Sequence, residues 1–420
     1  MHASTLPAPA RSYGHTVVRA AFVLAVFGWG VGFYGPPIFL HAVVLRTGWP
    51  LSLVSGAVTL HFLLGAGVVA CLPRIHRRVG IAAATAGGAV ALAIGIVGWA
   101  TAVQPWQLLV AAALTGGGWV PLGAAAINAI VSPWFVQQRP MALAKAYNGA
   151  SVGGVLFSPL WVALIGSLGF VAASVVVGLA MLLVVLPLAW QVLPKTPASL
   201  GQAADGAATA SAAIAAPALP RRALWRDRVF VTLAAAMALG LFAQIGLITQ
   251  LYSLLVPRMG AQAAGWVMAL ATACGIAGRT LVARLLGPGT DRRLVACASY
   301  GIQAVGTAVL LVAGAHALPL VVLGVLLFGL GIGNATSLPP LIAQLEFSRE
   351  EVPRVVARSV ALSQALYAFA PASFALLLVH GGAAAPALGQ GTATYFGAVL
   401  LCQALAIGCL LAGRVGRTTK

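Results

Sequence analysis

Long apolar runs separated by short polar segments constrain this chain more than any other feature of its sequence. A helix needs about 20 mainly apolar residues to cross the hydrocarbon core of a bilayer, which is about 30 Å thick. Six such runs precede a central polar gap and six follow it. They lie near residues 17–41, 50–73, 79–103, 107–132, 146–168, 170–193, 229–256, 262–286, 294–315, 318–342, 359–379 and 392–412. The pattern predicts an all-α membrane protein with twelve transmembrane helices.

The composition excludes an ordinary water-soluble domain. Hydrophobic residues make up 61% of the chain, the mean hydropathy is +1.00, and only 7% of residues are charged. A water-facing surface needs about 25–35% charged residues. The formal charge of +18 arises from Lys and Arg between the apolar runs, not from a basic face interleaved with aromatic residues. We therefore predict the lipid bilayer as a partner, and no nucleic acid.

The distribution of basic residues predicts the orientation, because Lys and Arg are retained on the cytoplasmic side of membranes. If both termini are cytoplasmic, all 24 Lys and Arg residues except Arg46, Arg258 and Arg279 fall on that side. We therefore expect cytoplasmic termini. The excess of Arg over Lys, with abundant Ala and Gly, is typical of GC-rich bacterial genomes. It predicts a multi-pass protein of the inner (plasma) membrane.

The chain divides into two halves around a segment rich in Ala and Pro. The expected units are a cytoplasmic tail 1–16, a six-helix bundle 17–193, a cytoplasmic linker 194–228, a second six-helix bundle 229–413 and a cytoplasmic tail 414–420. The halves match at an offset of about 215 residues, as in internal-repeat membrane proteins. For example, Gly116 and Gly118 fall opposite Gly331 and Gly333. The pattern predicts two pseudo-symmetric bundles.

Arg279 is the most informative residue, because it is a basic residue well inside an apolar run. A charged group in the hydrocarbon region costs about 2.5–3.5 kcal/mol on insertion scales, so it persists where packing or function compensates. Thr272, Gly275 and Ala283 share its helical stripe and leave space beside it. It could snorkel to the cytoplasmic interface, as we expect of Arg284. We favour a fixed cation for a small anion, because a guanidinium holds a carboxylate bidentately.

His61, at the midpoint of the second run, is the other group that could titrate deep in the membrane. Its reference pKa of about 6.5 makes it a candidate proton carrier. A neutral histidine hydrogen-bonded to a neighbouring helix is the alternative. All six Asp and Glu residues lie between the apolar runs, so no run supplies a carboxylate for a driving ion. Proton coupling would therefore need His61 or the substrate's own carboxylate; otherwise anions are exchanged or equilibrated.

Polar and aromatic side chains inside the runs are candidates for lining a cavity. They are Tyr34, Asn128, Tyr147, Asn148, Gln244, Gln250, Asn334, Gln364 and Tyr367. Each of these side chains could equally form a hydrogen bond between packed helices. Without an acid in the runs, neither a paired-carboxylate site nor a Ser-His-Asp relay can form there, and no His/Cys cluster indicates a metal. We therefore predict no enzyme activity, no metal and no cofactor.

From about residue 17 to 413, this layout resembles the major facilitator superfamily. Two stretches resemble its monocarboxylate transporter and oxalate/formate antiporter branch. Trp134-Phe135 and Gln138-Arg139, followed by Gly149-Ala150-Ser151-Val152-Gly153-Gly154, are similar to the branch's passage from the fourth to the fifth span. Gly278-Arg279-Thr280 occupies the place of its substrate-pairing arginine. The resemblance implies the major facilitator fold, a substrate-pairing role for Arg279, and a cavity-facing Tyr34 in the segment Gly32 to Pro37.

The sequence departs from that branch at several positions. Ile38 stands where proton-linked monocarboxylate carriers have a lysine, and the oxalate exchanger's second cation has no counterpart near Tyr367. One buried cation matches a monoanion better than a dianion. The superfamily's signature between the second and third spans is reduced to Arg77-Arg78-Val79-Gly80, whereas the second half keeps Asp291-Arg292-Arg293. We expect these loops, with Arg139, to act as conformational gates.

The sequence thus predicts a secondary active transporter that moves a small organic anion, specifically a monocarboxylate, by alternating access. It would work as a monomer, by proton symport or anion exchange. The first alternative is an exporter of hydrophobic drugs with the same fold, because Ser158-Pro159 loosely matches an antiporter motif. The second alternative is a membrane sensor or scaffold that does not transport, although the short loops argue against it.

Overall fold

The computed structural model describes residues 13–204, 224–286, 290–313, 317–348, 351–380 and 392–414. This part of the chain is helical, with short 3-10 turns and no β-strand. Its α-helices are α1 Gly14–Gly32, α2 Gly35–Thr47, α3 Leu51–Thr101, α4 Pro105–Trp119, α5 Ala124–Val131, α6 Arg139–Leu168, α7 Phe170–Gln191, α8 Arg228–Met259, α9 Ala261–Leu285, α10 Arg292–Val312, α11 Leu318–Ile332, α12 Asn334–Glu346, α13 Val352–Tyr367, α14 Ala370–His380 and α15 Ala393–Ala412.

Eleven helical segments of the described chain are long and apolar enough to cross a bilayer. Each coincides with one predicted run except α3, which contains two. At a rise of 1.5 Å per residue the 51 residues of α3 extend about 77 Å, more than twice the hydrocarbon thickness of about 30 Å. Within α3, Gly80 has φ 83° and ψ 162°, a conformation that residues with a Cβ rarely adopt. The helix therefore consists of two arms of membrane length joined at Gly80.

Four predicted runs are interrupted near their middle. The breaks are Phe33 and Tyr34 between α1 and α2, the 3-10 turn Val120–Leu122 between α4 and α5, Gly333 between α11 and α12, and Ala368 and Phe369 between α13 and α14. Prolines at the start of α2 and in the 3-10 turn favour two of these breaks, because proline has no N–H to donate. At membrane depth, such breaks are tolerated only where they are buried in protein or line a water-filled cavity.

The helices form two groups that follow the chain. In the first half, α3 packs along α4 and α7, and α1 packs along α6. In the second half, α10 packs along α11 and α15, and α8 packs along α13 and α15. Small residues allow the closest approach: a Cβ on Gly149 or Gly153 of α6 would collide with backbone carbonyl oxygens of α1. Such small-residue contacts are characteristic of helix association in membranes.

Much of the predicted linker 194–228 lies outside the described residues. Its described ends contain the 3-10 turns Ala198–Leu200 and Leu224–Arg226. The predicted tails are described only from Tyr13 onward and up to Arg414. The unit boundaries, and the cytoplasmic assignment of the linker and tails, therefore stay predictions.

The two halves touch at the end of the molecule where α2 and α8 finish. Gln250 Nε2 on α8 donates to Ser55 Oγ at 3.1 Å, and the Ala372 N–H on α14 donates to Thr59 Oγ1 at 3.1 Å. The larger hydrophobic core includes both halves, whereas a smaller core around Phe230 belongs to the second half alone. Phe230 lies at the start of α8, the opposite end from these contacts. The groove between the halves is therefore closed at the end of these contacts, whereas the smaller core near the start of α8 is confined to the second half.

Candidate functional site

Arg279 lies on α9 and turns towards α11 and α12. Its Nε donates a 3.3 Å hydrogen bond to the carbonyl oxygen of Gly333, at the break between those helices. Gly333 has no side chain, which leaves room for the guanidinium. A Cβ on Gly333 would lie 3.1 Å from Arg279 Nε and would collide with it. Among the residues that the structure describes, no carboxylate forms an ion pair with Arg279. A guanidinium has five N–H donors, so the terminal nitrogens remain available to a ligand.

Tyr34, at the break between α1 and α2, faces Arg279 from the first half. Its hydroxyl interacts with the Thr272 hydroxyl on α9, and it lies close enough to the Arg279 guanidinium for an electrostatic interaction. Gly154 on α6 makes room for this contact: a Cβ there would lie 2.5 Å from the Tyr34 ring and 2.7 Å from Thr272 Cγ2. Tyr34, Thr272 and Arg279 thus form a polar group, the Arg279 cluster, at the boundary between the halves.

Asn334 begins α12 directly beside the carbonyl that Arg279 contacts. Its side chain is buried, and Oδ1 has no hydrogen-bond partner. The Gly333 carbonyl also accepts from Ser337 Oγ at 3.1 Å. Side chains thus occupy the acceptor that the helix break leaves free, as they do where transmembrane helices are interrupted.

Aromatic rings extend from the Arg279 cluster across the groove. Ring-centroid distances are 5.1 Å from Tyr34 to Phe33, 6.0 Å from Phe33 to Phe62, and 6.0 Å from Phe62 to Tyr367 of the second half. Trp119 lies behind Phe33 and Phe62, at 6.4 and 6.5 Å. These distances are in the range of favourable aromatic pairs. We call Phe33, Tyr34, Phe62, Trp119 and Tyr367 the aromatic belt.

His61 is fully buried between the arms of α3 and α4. Its Nδ1 lies 2.9 Å from Thr115 Oγ1, which also accepts from Trp99 Nε1 at 3.2 Å. Its ring stacks on Trp119 at 6.1 Å, with 19° between the planes. These contacts join both arms of α3 to α4, which is a helix-packing arrangement. A proton-carrying role for His61 stays a prediction.

Other predicted lining residues are engaged within one half. Gln244 is buried and accepts a 3.3 Å hydrogen bond from Gln303 Nε2 in the second half. In the first half, Tyr147 donates at 3.1 Å to the Ala124 carbonyl and joins α6 to α5.

The remaining lining candidates are partly or fully exposed. Asn128 on α5 and Asn148 on α6 are exposed, and Asn128 accepts from the Ser132 hydroxyl. Gln364 is half-buried and contacts the Tyr367 hydroxyl one turn away. Of the predicted lining residues, Tyr34 lies beside Arg279, and Asn334 directly follows the glycine whose carbonyl Arg279 contacts.

A polar lock holds the closed end of the groove; we define it as Ser55, Thr59, Gln250 and the first turn of α14. Gln250 is fully buried and also donates to the Pro371 carbonyl at 3.3 Å. The first N–H groups of a helix have no intrahelical acceptor, and Thr59 supplies one to α14 from the other half. Ser55 and Thr59 were not predicted from the sequence, because their partners lie some 200 to 300 residues away and no local pattern marks them.

The predicted gating residues lie at the helix ends on the side of the termini. Arg77 and Arg78 are exposed beside Gly80. Arg139, at the start of α6, donates from Nε to the Phe135 carbonyl at 2.9 Å. Arg292 donates to the Leu341 carbonyl. Their role as gates stays a prediction.

Asp291 caps α10 by accepting from the backbone N–H groups of Arg293 and Leu294. It also forms a 2.8 Å ion pair with Arg414. Partial burial alone would raise the pKa of Asp291, but the hydrogen bonds from Arg414 and the backbone outweigh this effect and hold the pKa below its ordinary value.

Arg293 is buried, with 1% of its side chain exposed, and pairs bidentately with Glu346 at 2.7 and 2.8 Å. It also donates to Thr232 Oγ1 and to the carbonyl oxygens of Val229 and Leu410. Arg293 therefore ties α8, α10, α12 and α15 together. Within the described residues, no group of three or more His, Cys, Asp or Glu side chains is placed to hold a metal ion.

Membrane-length helices in two halves, interior helix breaks and a cation between the halves define a polytopic helical membrane protein with a central polar site. The chain belongs to the Major Facilitator Superfamily, whose family model matches residues 85–371. The predicted all-α membrane fold is therefore confirmed, whereas the count of twelve spans and the cytoplasmic termini stay predictions, and the family is one of transporters rather than enzymes. The monocarboxylate and oxalate/formate branch stays a prediction.

Solved transporter structures share this fold. A bacterial homologue of the human lysosomal transporter Spinster, in an inward-facing and occupied conformation, matches with a TM-score of 0.69 and 14% identity over 96% of this chain and 97% of its own. The nucleoside transporter NupG matches with a TM-score of 0.68 and 12% identity over 97% and 100%. At these identities the similarity is one of fold alone. Comparison with curated protein sequences finds no match.

Proposed function

We propose that this protein is a twelve-span secondary transporter that moves a small organic monocarboxylate across the inner membrane by alternating access. One observation carries the substrate class: Arg279, inside a membrane-length helix, meets a backbone carbonyl and no carboxylate among the described residues. Leaving a charge in this position is costly unless a ligand or water compensates it. A monoanion would provide one compensating charge.

The arrangement of the halves supports alternating access. The groove is closed at the polar lock, and we infer that it opens on the side of the termini, which the distribution of Lys and Arg assigns to the cytoplasm. The Arg279 cluster includes Tyr34 from the first half and Thr272 from the second. A ligand bound there would contact both halves, so their relative movement would change its access from one side to the other.

Coupling by proton symport or by anion exchange is compatible with the site. The acids of the sequence lie outside the apolar runs, and His61 is enclosed by Thr115 and Trp119 on the far side of the aromatic belt. These contacts favour a packing role for His61 over the predicted proton-carrying role. The substrate's own carboxylate would carry any coupled proton.

Replacement of Arg279 by Gln tests the proposal. We expect uptake of radiolabelled acetate, lactate or benzoate into proteoliposomes to fall at least about tenfold, because a hydrogen-bonded charge interaction worth about 1.5–3 kcal/mol is lost. Arg279→Lys should retain partial activity, because the charge remains while the bidentate fork is lost.

Arg284→Gln is the matched control, because Arg284 is exposed on the same helix. It should leave uptake unchanged. Wild-type uptake by a correctly inserted Arg279→Gln protein would refute the proposal, as would the absence of Arg279-dependent uptake of any monocarboxylate by the wild type.

A further inference from the structure

We propose that the site selects monocarboxylates that carry a planar apolar group, such as aryl carboxylates, over short aliphatic ones. This inference rests on the proposed function of Arg279 as the carboxylate partner. It adds a second recognition element, the aromatic belt, which the first observation does not require.

The belt begins at the cation. Tyr34 belongs both to the Arg279 cluster and to the belt, and the rings continue without a gap through Phe33 and Phe62 to Tyr367. Phe33 and Tyr34 lie at one helix break, and Tyr367 ends α13 at another. A ligand whose carboxylate meets Arg279 therefore has the Tyr34 ring beside it, and the row of rings leads from there to Tyr367 of the second half.

The exposure of the rings indicates which of them a ligand would touch. Phe33, Tyr34 and Tyr367 are partly exposed, whereas Phe62 and Trp119 are buried behind them at 5% and 8%. Because Tyr34 contacts Thr272 of the second half, and Phe62 contacts Tyr367 there, these rings lie at the boundary between the halves. Buried rings fix the positions of the exposed ones, so the surface is preformed for a flat apolar group.

A short aliphatic carboxylate would contact Arg279 but would not reach the rings of the aromatic belt beyond Tyr34. With acetate or lactate at Arg279, the other exposed rings of the belt would remain in contact with water. The ring of benzoate would bury apolar surface against them. We expect this difference to give about a tenfold lower KM for benzoate than for acetate.

Competition transport with the full-length protein tests the inference. Uptake of labelled benzoate and of labelled acetate would be measured in proteoliposomes for the wild type and for Tyr367→Leu and Tyr367→Phe. Tyr367→Leu should reduce the benzoate preference several-fold with little change in the KM for acetate. Tyr367→Phe keeps the ring and should retain the benzoate preference. If Tyr367 acted only through its hydroxyl, this variant would lose the preference as Tyr367→Leu does.

Phe33→Leu provides a second variant, and Phe170→Leu is its control, because Phe170 forms an aromatic pair with Phe39 outside the belt. Only Phe33→Leu should lower the benzoate preference. Equal KM values for benzoate and acetate in the wild type, or equal effects of the two substitutions, would overturn the inference. If either result were found and Arg279→Gln still abolished acetate uptake, the proposed function would stand, and the inference about the aromatic belt would fail.

Discussion

Arg279 and Arg293 are residues of the same type with opposite surroundings. Arg293 is saturated by Glu346, a hydroxyl and two backbone carbonyls, and it holds four helices together. Arg279 has one long hydrogen bond to a backbone carbonyl. A guanidinium that is fully paired stabilises a fold, whereas one that is left partly unpaired is available to a ligand. The pairing, rather than the presence of a buried arginine, separates the two roles.

The role of Arg293 leads to a stability prediction. Glu346→Gln should lower the free energy of unfolding in detergent by about 3 kcal/mol, because it leaves the buried guanidinium without its counter-charge. Thermal or denaturant unfolding would measure this loss. Glu351→Gln is the control, since the Glu351 carboxylate accepts, among the described residues, from the nearby Ser348 hydroxyl. Similar stability of the two variants would contradict the structural assignment of Arg293.

At the scale of elements, a glycine on α6 allows the end of α1 and helix α9 to pack closely against α6 and against each other. Gly154 lies where Tyr34 and Thr272 meet, and its missing side chain leaves room for the Arg279 cluster. On the same helix, Gly166 has nothing within 4 Å of the position of a Cβ. The two glycines therefore differ in tertiary context, although both are small residues of one apolar run.

Alanine substitution should separate these two glycines. Gly154→Ala would place a Cβ 2.5 Å from the Tyr34 ring, so that ring must move, and we expect carboxylate uptake to fall about tenfold or more, as misplacement of a binding group does. Gly166→Ala should retain uptake and gain slightly in helix stability. The measurement is uptake per inserted molecule. Wild-type uptake by Gly154→Ala would show that the position of Tyr34 does not matter.

At the scale of the whole molecule, the polar lock determines which side of the groove is closed. Its hydrogen bonds join α3 of the first half to α8 and α14 of the second. They exist only when the halves meet at this end. Removing one of these hydrogen bonds should therefore destabilise the present conformation relative to the one that is closed on the side of the termini. The change in free energy should be comparable with that of one hydrogen bond.

Thr59→Val tests the lock, because it removes the acceptor of the Ala372 N–H while keeping the side-chain shape. A cost of about 1 kcal/mol would reduce the population ratio about fivefold. A single cysteine at Asn148, with the five native cysteines replaced by alanine, should then react more slowly with a maleimide applied on the side of the termini. Thr101→Val is the control, since the Thr101 hydroxyl donates to the Val97 carbonyl of its own helix. Equal rates in both variants would exclude a role for Thr59 in closure.

The membrane helices follow closely from the sequence, whereas the roles of the site residues stay predictions. The apolar runs coincide with the helices because transfer into lipid depends on the local composition of each segment. Arg279 was selected because the cost of a charge in hydrocarbon is also local. By contrast, Gln244 and Tyr34 were both predicted to line a cavity, and the sequence could not show that Gln244 bonds within one half while Tyr34 lies at the boundary.

The sequence by itself determined that this chain spans a membrane through many apolar helices and carries one exceptional cation within them. Both properties follow from the free energy of moving single segments and single charges out of water. The tertiary structure decided which side chains meet: Tyr34 with Thr272 and Arg279, Thr59 with the start of α14, and Arg293 with Glu346. Those pairings depend on how distant helices pack, because each partner lies outside the local segment that determines its own helix.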